Sequence, residues 1–292
     1  MLKKNLVRTG FLSQGLLLMM PNAGSVKGNE AHSFLETQNV SKPYKKRSTV
    51  DTLIVLPSDS LGYTFSRVLT EEEMMAAPQI SLNKNVSRYV KDFMKREKEF
   101  LVKMETRSQN HFDFIDSVLM HYGLPVELKY LAIVESQLNP KAVSRVGAKG
   151  MWQFMPVTAR ELGLKVTKYT DERLHARKST VAAARYLKSL HNMFGDWLLV
   201  LAAYNGGPGT VYKAIKKSGS RNFWALQNYL PAETRGHVKR FIGVHYYFEG
   251  AGSITTQTKA EAIAYKKAMD KYKLALREKV VDTISVAVAG PM

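Results

Sequence analysis

Across residues 85–249 apolar side chains recur with the period of a helix. Val86, Tyr89, Val90, Phe93 and Met94 stand at i, i+3, i+4, i+7 and i+8, a spacing that puts them on one stripe. Phe100, Leu101 and Met104 extend that stripe. A second helix is predicted over 112–121 and a third over 128–139, where Leu128, Leu131 and Ala132 share a face. Gly123 can close the helix before it, Pro125 can open it, and Pro140 stops it. Residues 143–149 are small and broken by Gly147, hence a loop, and Pro156 starts a short helix ending near Gly163. Over 178–194, Ala183, Leu187, Leu190 and Phe194 form a stripe with Gly195 as the stop. Asp196 suits the N-cap of the next helix, in which Trp197, Val200, Leu201 and Tyr204 align. Further helices are predicted over 209–217, 223–229 and 232–248. No strand pattern interrupts this region, so the predicted fold class is all-α.

The flanks read differently. Residues 1–24 hold Lys3, Lys4 and Arg8, an apolar run interrupted by Ser13 and Gln14, and then Pro21-Asn22-Ala23-Gly24. That is the layout of a signal peptide, and its run is short for a bilayer span. Residues 25–84 are expected to be a linker and N-terminal extension. Within them 25–50 is polar and basic, 52–56 is β-like, and 70–77 is helical with Thr70 and Glu73 spaced as a capping box. The candidate catalytic domain is 85–250. A C-terminal tail, 251–292, offers a basic helix over 260–279 and β-like alternation over 280–289, with no readable role.

One carboxyl breaks the helical pattern. Glu135 stands at i+7 from Leu128, on the same stripe as Leu131 and Ala132. An acidic side chain normally faces away from such a stripe, because burying an unpaired carboxylate is costly. The last turn of a helix, at the negative end of the dipole, further disfavours its charge. A carboxyl held protonated in this way suits a general acid for sugar cleavage. The plainer reading is a Glu capped by a neighbour or paired with an Arg.

The segments around and after Glu135 decide between these readings. They are VESQLNP (134–140), GAKGMWQFMP (147–156), AAYNGGPG (202–209) and LPAETR (230–235). In order and spacing they resemble the soluble lytic transglycosylase family, which has the goose-type lysozyme fold, and most nearly its membrane-bound lytic transglycosylase D branch. The resemblance covers residues 85–249. It implies a lysozyme-like helical catalytic domain with a substrate cleft, cutting the MurNAc–GlcNAc bond of peptidoglycan without water. Glu135 would first protonate the leaving oxygen and then take a proton from the substrate's C6 hydroxyl, leaving a 1,6-anhydromuramoyl end. Ser136 would hydrogen-bond the Glu or the sugar. Gly147 and Gly150 would let backbone approach the sugar, and the Gln153 amide would bind it. Tyr204 would lie against the acid and Asn205 would face substrate. Trp152 and Phe154 fit the core as well as a sugar platform.

Two departures stand out. Family members commonly read ETRxYV, whereas here Glu233-Thr234-Arg235 is followed by Gly236-His237-Val238. His237 therefore replaces a Tyr of the cleft, and its substrate contact is the one in doubt. His175-Ala176 stands where relatives often have Asp-Pro, a structural turn. Other acids near the motifs, Glu161, Asp171, Glu172 and Glu233, lie on no comparable apolar stripe.

Composition narrows the partners. The formal charge of +18 implies attraction to a polyanion such as an anionic wall or membrane surface. No zinc-finger spacing or basic-aromatic stripe points to nucleic acid. With no cysteine, the chain has neither disulfides nor a lipid-modified cysteine, which fits an exported, envelope-associated enzyme. The 7 His are scattered without an H-E-x-x-H pair, so neither a metal nor a cofactor is expected. Ser81-Leu82-Asn83-Lys84 and Lys217-Ser218-Gly219 mimic a serine acyl-transferase, but the accompanying Ser58-Asp59-Ser60 comes in the wrong order. The readings that compete are a hydrolytic lysozyme of the same fold and a catalytically weak wall-binding protein.

Overall fold

A computed structural model describes residues 70–288 together with Ile54–Val55 and Ser66–Arg67. The expected signal sequence and basic linker lie outside the described residues. Of the β-like run at 52–56, Ile54–Val55 pairs antiparallel with Ser66–Arg67. The helices are α1 (Glu71–Ala76), α2 (Lys84–Arg96), α3 (Lys98–Ser108), α4 (Phe112–His121), α5 (Tyr130–Ser136), α6 (Pro156–Glu161), α7 (Ala176–Phe194), α8 (Trp197–Gly206), α9 (Pro208–Ser218), α10 (Phe223–Leu226), α11 (Ala232–Glu249) and α12 (Lys259–Val288). The all-α class holds. The capping box of α1 is also present, with Thr70 and Glu73 each bonding the other's backbone.

α8 is the centre of the fold. Every residue from Trp197 to Ala203 is buried, and a helix apolar all round must be surrounded. α7, α9 and α11 pack against it, and α11 also packs on α2 and α5. The α2–α11 approach depends on Gly243, where a Cβ would stand 2.6 Å from the Phe93 ring. Gly lowers helix propensity by about 1 kcal/mol, and burial of Phe93 against the bare backbone offsets that loss.

Three elements differ from expectation. The stripe read as continuous from Val86 to Met104 is broken at Glu97 (φ −98°, ψ 21°), which separates α2 from α3. Pro125 opens a 3-10 turn, Val126–Lys129, before α5 begins. Residues 280–288 continue α12 as helix rather than forming a strand. Extending an existing helix adds a hydrogen bond per residue fixed, whereas a strand needs a partner. Along the part of α12 whose side chains are described, up to Lys279, Leu276 is the buried residue.

Candidate active site

The turn after α5 sets the position of Glu135. Gln137 (φ 57°) and Leu138 (φ 59°) are both left-handed, a conformation unfavourable for side chains with a Cβ. Complete burial of Leu138, bonds from Gln137 N to Ile133 O and from Leu138 N to Ala132 O, and donation from Arg107 Nη1 to Gln137 O hold it. α5 therefore stops at Ser136, ahead of Pro140, and Glu135 stays in the last turn as expected. Leu128, Leu131 and Ala132 are fully buried below it.

Glu135 reaches a cleft of about 440 Å³, a size within the range of small-molecule sites. Its side chain is 13% exposed, and Oε1 lies 2.8 Å from Nε2 of His237, which is 2% exposed. His237 Nδ1 is buried with no hydrogen-bond partner. Placing the hydrogen on Nε2 leaves only an acceptor unmatched there rather than a donor, so Nε2–H donates to Oε1. His237 thus contacts the acid itself and also lines the cleft, where a substrate contact was expected of it.

Tyr204, Asn205 and Gln153 line the same cleft. The Tyr204 hydroxyl donates to Trp152 O at 2.7 Å. Burial holds this phenol well above its ordinary pKa, and the nearby charge of Glu135 and the neighbouring Tyr186 push the same way. Tyr186, also in the cleft, is raised to about 12, first by burial and then by Glu161. Asn205 Oδ1 accepts from Thr234 Oγ1 at 2.9 Å, which leaves the amide N–H groups for a ligand. Gln153 has a left-handed backbone (φ 50°), and its amide donates to Gly150 O at 2.8 Å.

Ser136 is not among the residues brought to the cleft. Its hydroxyl donates to Met151 O at 2.7 Å and accepts from Asn139 N at 3.1 Å, tying the end of α5 to the following loop. Trp152 is core, with its indole N–H donating to Thr180 Oγ1. Phe154 is buried at the edge of the cleft, tilted against Tyr204. Gly150 serves packing: a Cβ there would lie 1.8 Å from Arg173 O, so its bare face abuts protein rather than sugar.

Sequence reasoning missed the clamp on this loop. Arg173 is buried and donates to Gly147 O and Phe154 O while pairing with Asp171. That hydrogen bond to Arg173, helped by Lys149, holds the Asp171 carboxyl down to about 2 despite partial burial. His175 N-caps α7 through Nδ1, which explains how the chain turns without Asp-Pro. Also missed was the far wall, formed by Tyr89, Phe93, Arg96, Glu97 and Phe100. Only their apolar stripe could have signalled it. Glu233 and Arg240 of α11 complete the lining.

The helical core thus holds Glu135, in contact with His237, in a polar-lined cleft. Residues 114–227 match the family model described as Transglycosylase SLT domain. The membrane-bound lytic murein transglycosylase D of Escherichia coli K12 is 40% identical over 154 residues, 51% of this chain and 34% of that protein. The soluble lytic murein transglycosylase of Salmonella typhimurium is 34% identical over 126 residues, 40% of this chain and 19% of that one. The chain thus spans about a third or less of the length of these relatives. Among solved structures, the 70 kDa soluble lytic transglycosylase of Escherichia coli aligns with TM-score 0.44 and 28% identity, over 51% of this chain and 26% of that one.

Proposed function

We propose that this protein is a peptidoglycan lytic transglycosylase of the cell envelope, cutting the MurNAc–GlcNAc bond with Glu135 as acid and then base. The observation that carries the reading is the Glu135–His237 pair in the cleft. His237 occupies Oε1, which leaves Oε2 to carry the proton toward the glycosidic oxygen. The same oxygen, once ionised, accepts the proton of the C6 hydroxyl as that oxygen closes on C1. No water enters the products. Asn205 and Gln153 supply amide groups for the N-acetyl and hydroxyl groups of the sugars. The SLT match and the murein transglycosylase relatives support the substrate class, and the membrane-bound relative supports an envelope location. No described helix is long and apolar enough to cross a membrane.

Glu233 in the same cleft favours one rival, a hydrolase in which that carboxyl activates water. Mass analysis of fragments released from purified peptidoglycan decides between them. The proposed reaction gives ends lighter by one water than the reducing ends of hydrolysis, and Glu233→Gln leaves their nature unchanged. Glu135→Gln is expected to lower the rate by about two to four orders of magnitude while wall binding persists. Reducing ends from the wild type, or near wild-type release by Glu135→Gln, would overturn the assignment.

A further inference from the structure

We propose that Arg240 receives a carboxylate of the peptide stem attached to the muramoyl residue, so that the cleft selects strands with anionic stems. The inference rests on the peptidoglycan reading above. Arg240 follows His237 by three positions on α11, which puts it one turn further along the same face, and it lines the same cleft. Its Nε is buried and has no hydrogen-bond partner, and among the described residues no acidic side chain forms an ion pair with it. The other guanidinium of the lining, Arg96, is already held by Glu97 at 3.0 Å. The charge of Arg240 is felt by Tyr89, whose phenol is raised by burial and lowered in opposition by Arg240.

A desolvated N–H without an acceptor is unfavourable. Nε itself is enclosed, so a ligand in the cleft meets this guanidinium through its terminal Nη groups. The planar fork of a guanidinium matches a carboxylate better than it matches an isolated hydroxyl. The sugar rings of the substrate bring hydroxyls and amides, all neutral. Its fixed negative charges lie on the stem peptides, so an anionic peptide beside the sugar chain is the chemistry that fits Arg240.

The test uses soluble, uncrosslinked glycan strands in two forms, one with free stem carboxylates and one with the same carboxylates converted to methyl amides. The stem keeps its bulk and loses only its charge. For the wild type, kcat/KM is expected to favour the free acids by about tenfold, mostly through KM. Arg240→Gln should bring the ratio to near one, and Arg240→Lys should keep part of it. A wild-type ratio near one overturns the proposal without reference to any variant. An equal loss on both substrates in Arg240→Gln also overturns it, since that pattern marks action through Glu135 or the glycan. Failure of the wild type to cut either strand would instead sink the peptidoglycan reading, and the proposal with it.

Discussion

Glu135 and His237 meet only in the folded chain, 102 positions apart, yet the sequence marks both. One is an acid on an apolar stripe and the other a His inside an otherwise matching motif. The sequence does not reveal that they touch, since α5 and α11 are brought together by long-range packing. The contact changes what substitution should do. Tyr carries its hydroxyl farther from Cβ than His carries Nε2, and His237 is buried with Glu135 already at hydrogen-bond distance. A restored Tyr would therefore displace the Glu135 carboxyl, so the position no longer reads as a simple exchange with the family's residue. Gln, whose amide can reach a comparable point, is the better replacement. We predict that His237→Leu lowers kcat by about 10- to 100-fold, because Glu135 loses the donor that orients it. His237→Gln should recover much of that loss, with KM changing little in either. Steady-state kinetics on soluble strands checks this. Equal kcat in the Leu variant and the wild type would remove His237 from the chemistry.

At the scale of elements, the loop over 142–154 is the part the motif described and the physics explained differently. Its glycines suggested close approach to a sugar, but Gly150 has a left-handed φ of +82° and faces Arg173 O. Gly147 has a similar φ of +86° with nothing within 4 Å of its missing Cβ. Ala at 147 meets only backbone strain, about 1 kcal/mol. Ala at 150 adds a steric clash with backbone, so about 2–4 kcal/mol in total is expected. Thermal melting should show Gly150→Ala much less stable than Gly147→Ala; equal shifts would mean the loop can move off Arg173 at little cost. The helices were legible because their stripes follow a local period, and α7, α8 and α11 lie close to where that period put them. What was not legible depends on neighbours distant in sequence. The Arg173–Asp171 clamp, the Ser136 link to Met151, the break at Glu97 and the wall formed by Tyr89 and Phe93 carry no local signature beyond ordinary polar or apolar residues. The helical end of α12 misled for a related reason: alternating β-branched residues resemble a strand until it is known that a helix already runs into them.

For the whole molecule, charge and cleft chemistry separate. The chain carries a formal +18, and much of it lies outside the cleft: on α12, Lys266, Lys267, Lys271 and Lys273 are surface residues, with Lys266 paired to Asp270. In the cleft the Arg96–Glu97 pair offsets itself, and Arg240 shares the lining with Glu135 and Glu233. Capture of an anionic wall should therefore be driven by surface charge screened over about 10 Å at 0.1 M salt, and cleavage by short-range contacts that salt barely reaches. We predict that raising salt from about 0.05 to about 0.5 M strongly reduces retention on intact sacculi in a pull-down. Over the same range, turnover of short strands with neutral, methyl-amidated stems should change less than about twofold. The contrast is the measurement. Salt-independent retention would mean that stacking and hydrogen bonds in the cleft hold the wall. A parallel fall in turnover on neutral strands would mean that the surface charge acts on the catalytic geometry itself, against the separation of α12 from the site.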